Sequence, residues 1–546
     1  MENIIITFDD NQKREYPSGV TLKEILIDYD TKDEIVCAKF NNHVISLNEP
    51  ITRNGSLVLF GINDSFGNRV YEKGLTFLFV VCAKQILPDA EIRIRHSIDR
   101  GVFFEVNGKF DSESVNEIKK LMKDKISKKI PFVRVETTLD EAITYFKNVK
   151  RYDKVSTLFY AKSSYVTLYR LDDVYDYILG DLPADTSILK YFDLTLIPDK
   201  GIILRYPSIY DNGKILKYTH HEQYFNSIDE YLSWAKILNI SSVGELNDAI
   251  VSSKKGEIIH LSEAIQDFRL HEIAKQIADN KEMKFVLISG PSSSGKTTSA
   301  RKLSLYLKTL GLNPVPVSLD DYFLNREDTP LTEDGKYDFE SLRAIDIKLF
   351  NNQMSKLLKG NKILAPTFDF VEGKKVFDKT LQMKENDVLV IEGLHALSEE
   401  LLADIPKKKK FKIYISPLVY INIDDDNRIN LTDIRLLRRM TRDSRTRGYS
   451  PSHTLNSWKD VRKGEEKHVF QYQDNADVIF NTFLVYELAV LKAYAEPLLH
   501  QVKDDDPEYL TAKRLIKLLS LVLPIPSEDV PAVSILREFI GGSYFE

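Results

Sequence analysis

The chain has 546 residues, of which 43% are hydrophobic and 29% charged, and its formal net charge is −6. This length exceeds what one hydrophobic core holds and predicts about three or four domains. The composition is that of an ordinary globular protein and excludes a disordered or fibrous chain. The small net charge excludes a global field that would steer the chain to nucleic acid or to an anionic membrane.

The two cysteines, Cys37 and Cys82, are isolated. They exclude a disulfide scaffold and a cysteine-built zinc site, and they favour a reducing compartment. The chain begins with a strand-like segment that carries an early acid, which is unlike a signal peptide. Apolar runs such as 77–81 are too short to span a membrane. We therefore expect a cytoplasmic protein with no membrane partner, and the sequence leaves a homo-oligomer open.

The strand-like runs and turn signals in residues 1–62 predict a small domain. Its expected strands are 4–8, 34–40 and 56–60, with a helix over 21–29. Residues 63–220 predict an α+β domain. Its expected strands lie at 157–160, 165–169 and 201–206, and its expected helices at 112–128 and 138–146. Residues 221–280 predict a helical linker with a capping box at Ser242 and Glu245 and an amphipathic segment at 261–278.

In residues 281–482, apolar strands alternate with helices, which is typical of a mostly parallel, doubly wound α/β sheet. The expected strands are 285–289, 315–319, 388–391, 411–415 and 478–480. Residues 483–546 predict a C-terminal helical extension. The whole is thus a multidomain protein.

The segment Gly290-Pro-Ser-Ser-Ser-Gly-Lys-Thr297 fits the phosphate-loop pattern between a strand and a helix. Its glycines let backbone N–H groups turn inward around a phosphate, and the helix N-terminus adds its positive end. Lys296 would reach the outer phosphates and the Thr297 hydroxyl would bind Mg²⁺. The segment predicts binding of a nucleoside triphosphate.

Acidic residues follow the next two strands of the predicted sheet. Asp320 comes after the second strand and Glu392 after the third. Ligands of an open α/β sheet bind beyond the carboxyl ends of the strands, so we expect Asp320 near the γ-phosphate and Glu392 at the metal. The alternative is that each acid merely caps a helix.

An arginine-rich helix follows the last of these acids. Spacings of three and four place Arg435, Arg438, Arg439 and Arg442 largely on one side. The alternative is a solvated charged face. Behind a phosphate loop, however, the pattern predicts a cationic lid that meets the charge spreading over a transferred phosphoryl group and excludes water.

Residues 284 to about 482 resemble the uridine kinase and phosphoribulokinase family of P-loop kinases. The matching stretches are Gly290–Thr298, Ser318–Phe323, Tyr337–Asp346, Pro366–Phe370, Ile391–Gly393 and Arg438–Gly448. The resemblance implies phosphorylation of the 5′-hydroxyl of a nucleoside, uridine or cytidine foremost, by ATP or GTP with Mg²⁺. The alternatives are a phosphoribulokinase-like enzyme acting on another small acceptor and an RNA-associated NTPase or sensor.

Carried over by position, the resemblance also implies roles for single residues. Asp320 would be the base, with Lys296 and Arg442 as further catalytic residues, and Thr297 and Glu392 would order the magnesium shell. The nucleotide-binding residues would be Gly290, Pro291, Ser292, Ser293, Ser294, Gly295, Lys296, Thr297, Thr298, Arg439 and Arg447. The acceptor would meet Phe323, Phe339, Glu340, Phe368 and Phe370, the last two as a sandwich around the base. Two positions depart from the family pattern: Gly373 stands where a histidine is typical, and Tyr449 where an arginine is common.

The N-terminal third resembles the front of threonyl-tRNA synthetases. Residues 40–48 and 56–60 match the β-grasp-like TGS domain, and residues 82–88 and 98–106 match the editing-like second domain. The four metal-type positions of the synthetase editing site read Lys73, Phe77, Ile178 and Leu182 here. We therefore expect no editing chemistry.

The sequence does not favour RNA as a partner. Residues 1–60 carry ten acids and six bases, a net charge of −4, where a phosphate-binding module should be positive. The three modules together, with the ending at 534–543, resemble bacterial uridine kinase-like proteins that carry a synthetase-type N-terminus.

Overall fold

The computed structural model describes residues 3–29, 31, 33–211, 213–332, 335 and 337–545. Three residues of the N-terminal charge count, Glu2, Asp30 and Lys32, lie outside this part of the chain.

The first unit is a small mixed sheet with one helix. Its elements are β1 (Asn3–Phe8), β2 (Lys13–Pro17), β3 (Val20–Thr21), α1 (Leu22–Asp28), β4 (Ile35–Phe40), β5 (His43–Ile45), β6 (Pro50–Ile51) and β7 (Gly55–Gly61). The main sheet has the order β2-β1-β7-β4-β5, with β1 parallel to β7 and the other neighbours antiparallel. A capping box between Thr21 and Glu24 starts α1, whose buried residues Leu22 and Ile25 face the sheet core.

The second unit combines two antiparallel sheets with helices, as the α+β prediction requires. Its elements are α2 (Ser65–Ile86), β8 (Glu91–Ile98), β9 (Gly101–Asn107), α3 (Ser112–Ser127), β10 (Val133–Thr138), α4 (Leu139–Asn148), α5 (Tyr152–Phe159), β11 (Tyr165–Leu171), β12 (Val174–Asp176), β13 (Asp193–Ile197) and β14 (Gly201–Arg205). The sheet orders are β13-β14-β9-β8 and β10-β11-β12. The strand predicted at 157–160 is wrong, because α5 runs through most of it.

The remaining residues form the α/β unit. Its helices are α6 (Glu222–Leu238), α7 (Val243–Val251), α8 (Lys255–Asp279), α9 (Lys296–Thr309), α10 (Ile347–Leu358), α11 (Leu431–Thr446), α12 (Pro451–His468), α13 (Glu487–Leu499), α14 (Tyr509–Ser520) and α15 (Arg537–Ile540). Its strands are β15 (Phe285–Ser289), β16 (Asn313–Ser318), β17 (Ile363–Asp369), β18 (Lys374–Leu381), β19 (Asp387–Glu392), β20 (Lys410–Ser416) and β21 (Val478–Asn481).

Five strands of this unit form a parallel sheet in the order β16-β19-β15-β20-β21. All five residues of the central strand β15 are buried, which explains its continuous apolar run. Because the strands are parallel, their carboxyl ends lie at one edge, and the segments that follow β15, β16 and β19 meet there. This edge positions the candidate site.

The segment predicted as a helical linker is part of this α/β unit. Residues of α6 and α8, among them Tyr231 and Ile273, share one hydrophobic core with β15 and with the C-terminal helices. The Tyr231 hydroxyl donates to the Ile479 carbonyl in β21 at 2.8 Å. The expected boundary at 280 therefore does not separate two cores. The capping box at Ser242 and Glu245 is present at the start of α7.

A loop of the α/β unit, residues 422–428, binds the second unit through buried polar contacts. Lys154 of α5 is fully buried, and its Nζ lies 2.9 Å from Asp424, 2.8 Å from Asp176 and 3.6 Å from Asp426. Although burial alone would lower it, these carboxylates raise the pKa of Lys154. Asn427 donates to the carbonyl of Tyr177 at 2.8 Å. The loop leads directly into α11.

Removing the charge at the centre of this cluster should destabilise the protein. We expect Lys154→Met to lower the free energy of unfolding by about 3–5 kcal/mol, because it leaves buried carboxylates without a cation. Lys128→Met is the matched control, since Lys128 forms an exposed pair with Asp124 and is expected to change stability by less than about 1 kcal/mol. Chemical denaturation of the three proteins measures both effects. Equal midpoints for Lys154→Met and wild type would contradict the prediction.

Candidate active site

The phosphate loop lies between β15 and α9 with the backbone shape that an anion needs. Ser293 and Gly295 have positive φ angles of 58° and 88°, a backbone conformation that occurs in anion-binding loops. A side chain at Gly290 would collide with the carbonyl oxygen of Ile415, so glycine is required there. The hydroxyls of Ser293 and Ser294 are buried without a hydrogen-bond partner in the described part of the chain. The loop thus fits a bound phosphate group.

Lys296 is the first residue of α9 and reaches back across the loop. Its Nζ donates to the carbonyl oxygens of Gly290 at 2.9 Å and Pro291 at 3.1 Å. Burial lowers the pKa of Lys296, against the opposing effect of the nearby acids Glu392 and Asp320. The ammonium group therefore stands among the acids that the sheet edge brings together.

Two acids meet this lysine at the carboxyl ends of β16 and β19, as the sequence predicts. Asp320 lies in a 3-10 turn after β16, and Glu392 is the last residue of β19. Loss of solvation raises the pKa of Asp320 against the opposing charge of Lys296, and repulsion from Asp321 adds to the rise. Burial and repulsion from Asp320 raise the pKa of Glu392 to about 7. Asp321 instead accepts the backbone N–H of Phe368 at 3.3 Å and holds the β17 strand.

The residues present fit a magnesium ion. Thr297 is exposed at the start of α9, and Glu392 lies at the same edge of the sheet. A hydroxyl and a carboxylate are oxygen donors of the kind Mg²⁺ prefers. Among the described residues, no group of three or more His, Cys, Asp or Glu side chains could hold a metal by itself. Mg²⁺ is commonly held by one or two protein oxygens and takes its remaining ligands from substrate phosphates and water.

The arginines of α11 divide into two sets, which corrects the prediction of a four-arginine lid. Arg435 and Arg438 are fully buried. Arg438 pairs with Glu487 at 2.6 Å, and Arg435 pairs with Glu465 while donating to the Ser292 carbonyl at 2.9 Å. These two brace the phosphate loop from behind. Their positions on the helix were indistinguishable in sequence from those of a lid.

The remaining arginines lie at the mouth of the site. Arg439 donates to the Ser292 hydroxyl at 2.8 Å. Arg439, Arg442 and Arg447 all lie within 3.3 Å of one buried carboxylate, Asp443. Asp443 therefore gathers three guanidinium groups beside the loop, where cations could meet phosphate oxygens.

The predicted acceptor aromatics form one cluster, but not a sandwich. Phe323 lies 5.8 Å from both Phe339 and Phe368 and 6.5 Å from Phe370, measured between ring centroids. Phe368 and Phe370 contact each other edge to face, at 5.1 Å and 70°. Phe368 is buried in the core, whereas Phe370 is exposed. The two rings thus offer no parallel slot, because only Phe368 belongs to the strand and Phe370 follows its end.

Glu340 and Gly373 flank this cluster. Burial, with repulsion from Glu465, raises the pKa of Glu340 to about 7. Gly373 has a φ of +70°, and a Cβ there would lie 2.8 Å from the Arg326 side chain. Arg326 donates to the Phe370 carbonyl at 2.9 Å. A histidine at 373 would clash with that arginine. The shape of this turn therefore explains why the sequence has no histidine there.

Sequence reasoning missed several residues that shape the site. Glu465 accepts the Ser292 N–H of the loop at 2.8 Å, and Glu538 accepts the Thr298 hydroxyl at 2.7 Å. His395 is buried, and burial with the neighbouring His468 lowers its pKa to about 4. Only His395 had a local signal, since it follows Glu392 at the strand end. The two glutamates lie far along the chain: Glu465 falls in a segment without a motif, and Glu538 falls in the ending at 534–543, which gave no sign of a contact with the phosphate loop.

Three of the four positions that match the synthetase editing site are apolar here, and the fourth is Lys73. Phe77, Ile178 and Leu182 lie in one hydrophobic core, and burial lowers the pKa of Lys73 to about 8.

Among the described helices, none has both the length and the apolar character to cross a membrane.

Comparison with known proteins finds relatives of two parts of the chain. Residues 285–489 match the phosphoribulokinase / uridine kinase family. Uridine kinase of Saccharomyces cerevisiae is 29% identical over 254 residues, covering 46% of each chain. Uridine kinase of Staphylococcus aureus strain JH9 is 28% identical over 202 residues, 36% of this chain and 87% of that one.

The N-terminal region is similar to another protein. Threonine–tRNA ligase of Desulforamulus reducens is 28% identical over 199 residues, which are 36% of this chain and 31% of the ligase. The chain thus spans less than half of two of these relatives. It carries a phosphoribulokinase / uridine kinase family domain in its C-terminal region and a threonine–tRNA ligase-like region before it.

Proposed function

We propose that this protein transfers the γ-phosphoryl group of ATP or GTP to the 5′-hydroxyl of a nucleoside, uridine or cytidine foremost. Membership of the kinase family by residues 285–489 supports a phosphotransferase. The observation that carries the proposal is the meeting of Lys296, Asp320 and Glu392 at one sheet edge. The aromatic cluster around Phe323 adds a surface suited to a planar base.

In this reaction Asp320 accepts the proton of the 5′-hydroxyl as its oxygen attacks the γ-phosphorus. The bond between that phosphorus and the β–γ bridging oxygen breaks, and the products are a nucleoside monophosphate and a nucleoside diphosphate. Lys296 and Arg442 neutralise charge on the phosphate oxygens. When bound by Thr297 and Glu392, Mg²⁺ supplies further neutralisation of that charge.

Charge and shape define the acceptor end of the site. An ionised Glu340 accepts hydrogen bonds from ribose hydroxyls, and Phe339 lies next to it with its ring partly exposed. A sugar phosphate has no base to cover the exposed rings of Phe339 and Phe370. Because the rings do not form a slot, we place the base against the face of the cluster. Arg326, which donates to the Phe370 carbonyl at 2.9 Å, is a polar group beside this turn that takes the place of the missing histidine.

A panel of acceptors tests the proposal. We expect ATP-dependent turnover with uridine and cytidine, and little with adenosine or ribulose 5-phosphate, measured as release of ADP with each acceptor at equal concentration. Turnover with the sugar phosphate and none with any nucleoside would replace the assignment by a phosphoribulokinase-like activity. ATP hydrolysis without any acceptor, together with an RNA gel shift that survives physiological salt, would favour the RNA-associated NTPase.

The threonine–tRNA ligase-like region is expected to lack editing activity. Carbon side chains at Phe77, Ile178 and Leu182 cannot replace imidazole or thiolate ligands, and the charge of Lys73 would repel a metal. We therefore expect the full-length protein to hydrolyse mischarged tRNA no faster than buffer does, measured as release of the amino acid. A rate above that background, abolished by a chelator, would contradict this prediction.

A further inference from the structure

The last residues of the chain lie against the phosphate loop, although they fall outside the stretch that matches the kinase family. Ile535, Leu536 and Phe539 are buried. A Cβ on Gly295 would come within 2.7 Å of the Ile535 side chain, so this segment packs directly against the loop. The Arg438 guanidinium lies 4.9 Å from the centre of the Phe539 ring. The backbone of the C-terminal segment (residues 534–545) is therefore fixed beside the loop.

One carboxylate of this segment occupies an anion position. Glu538 Oε2 accepts the backbone N–H of Thr298 at 3.3 Å and the Thr298 hydroxyl at 2.7 Å. Thr298 is the third residue of α9, so its N–H has no acceptor within the helix. Such N–H groups at the start of the helix after a phosphate loop bind phosphate oxygens. Glu538 thus holds a donor that a bound nucleotide would use.

A cavity of about 260 Å³ opens between this segment, α9 and α11. Its walls carry cationic, hydroxyl and aromatic groups from Arg301, Arg442, Thr446, Arg447, Ser543 and Phe545. Ligand cavities usually have volumes of about 300–1,000 Å³. This one is therefore too small for a whole triphosphate and suits a base with its sugar, with the phosphates lying over the loop. Phe545 is its aromatic wall.

We propose that the C-terminal segment forms the outer wall of the donor-nucleotide site. Phe545 presents its ring to the nucleobase. The phosphate next to the ribose displaces the Glu538 carboxylate and takes over its contacts with Thr298. The inference rests on the proposed function in taking a nucleoside triphosphate as the donor. It does not depend on which acceptor is used.

The two residues should have opposite effects on nucleotide binding, measured by calorimetry with Mg²⁺-ATP and no acceptor. Loss of base–aromatic stacking in Phe545→Ala should weaken binding by about tenfold. Glu538→Gln should tighten binding by about threefold or more, because glutamine can keep the Thr298 contact but no longer repels a phosphate. Phe268→Ala is the control and should change the Kd by less than about twofold, since the Phe268 side chain is 65% exposed and lies outside the cavity wall.

Opposite signs separate this role from a general loss of folding, which would weaken binding in both variants. If the wild-type protein binds Mg²⁺-ATP and both variants bind it with the same Kd, the inference is overturned and the proposed function still holds. Weaker binding by Glu538→Gln would overturn the displacement of that carboxylate. A wild-type protein that binds neither ATP nor GTP would overturn the proposed function, and the inference with it.

Discussion

Asp320→Asn is expected to lower turnover with the acceptor by about 10²–10⁴-fold while leaving the Kd for ATP within about threefold of wild type. Asparagine keeps the size of the side chain but cannot accept the proton of a hydroxyl. Loss of solvation raises the pKa of Asp320, and the charges of Lys296 and Arg447 oppose that rise. Steady-state rates with saturating acceptor, together with calorimetry, measure the two quantities separately.

Asp321→Asn is the matched control for that experiment. Asp321 accepts the N–H of Phe368 at 3.3 Å and faces the strand β17 rather than Lys296. Asparagine can still accept that hydrogen bond, so we expect less than about a fivefold loss of turnover. Full activity in Asp320→Asn with a large loss in Asp321→Asn would show that Asp321, and not Asp320, is the base.

The strands of the parallel sheet were predictable from sequence to within one or two residues. β15 matches its predicted range at both ends, because a strand buried on both faces must be apolar throughout. Burial on all sides is also why α2 was not predicted. Residues from Gly74 to Ala83 are all buried, so the helix shows little amphipathic periodicity. The error at 157–160 has a tertiary cause. Thr157 is buried on α5, and its hydroxyl donates to the Ile423 carbonyl of the loop at 422–428 at 2.7 Å, a tertiary contact that overrides the strand preference of this segment.

The site was predictable where it is built from strand ends and not where it is built from distant helices. Asp320 and Glu392 follow strands and meet at the expected edge. Arg435 and Arg438 became buried braces because Glu465 and Glu487 lie on α12 and α13, a pairing that helical spacing on α11 cannot reveal. A buried arginine with a carboxylate partner and an exposed one look alike in a sequence.

The coupling of the units has a physical consequence for the site. The loop at 422–428 is held by Lys154 and by Glu72, whose carboxylate lies 2.6 Å from Arg428. The same loop leads into α11, which carries the arginines that brace the phosphate loop. The threonine–tRNA ligase-like region therefore supports the helix behind the nucleotide site through contacts made in the folded protein.

Lys296→Ala is expected to lower kcat/KM for ATP by about 10²–10³-fold. Two effects add. The ammonium charge that would meet the outer phosphates is lost, and the carbonyls of Gly290 and Pro291 lose the donor that now bridges them at 2.9 and 3.1 Å. Lys308→Ala is the matched control, because Lys308 is exposed in the last turn of the same helix and should leave kcat/KM unchanged.

Comparison of ATP with AMP distinguishes lost charge from a collapsed loop. On the proposed function, Lys296 would reach the outer phosphates, which AMP lacks, whereas the amides at the start of α9 would bind the phosphate next to the ribose in both nucleotides. We therefore expect Lys296→Ala to weaken ATP binding by at least about tenfold and AMP binding by less than about threefold, measured by calorimetry. Equal losses for both nucleotides would show that the loop itself had changed shape. Wild-type kcat/KM in Lys296→Ala would remove this lysine from the catalytic set, because no other ammonium group stands at that position among the described residues of the loop.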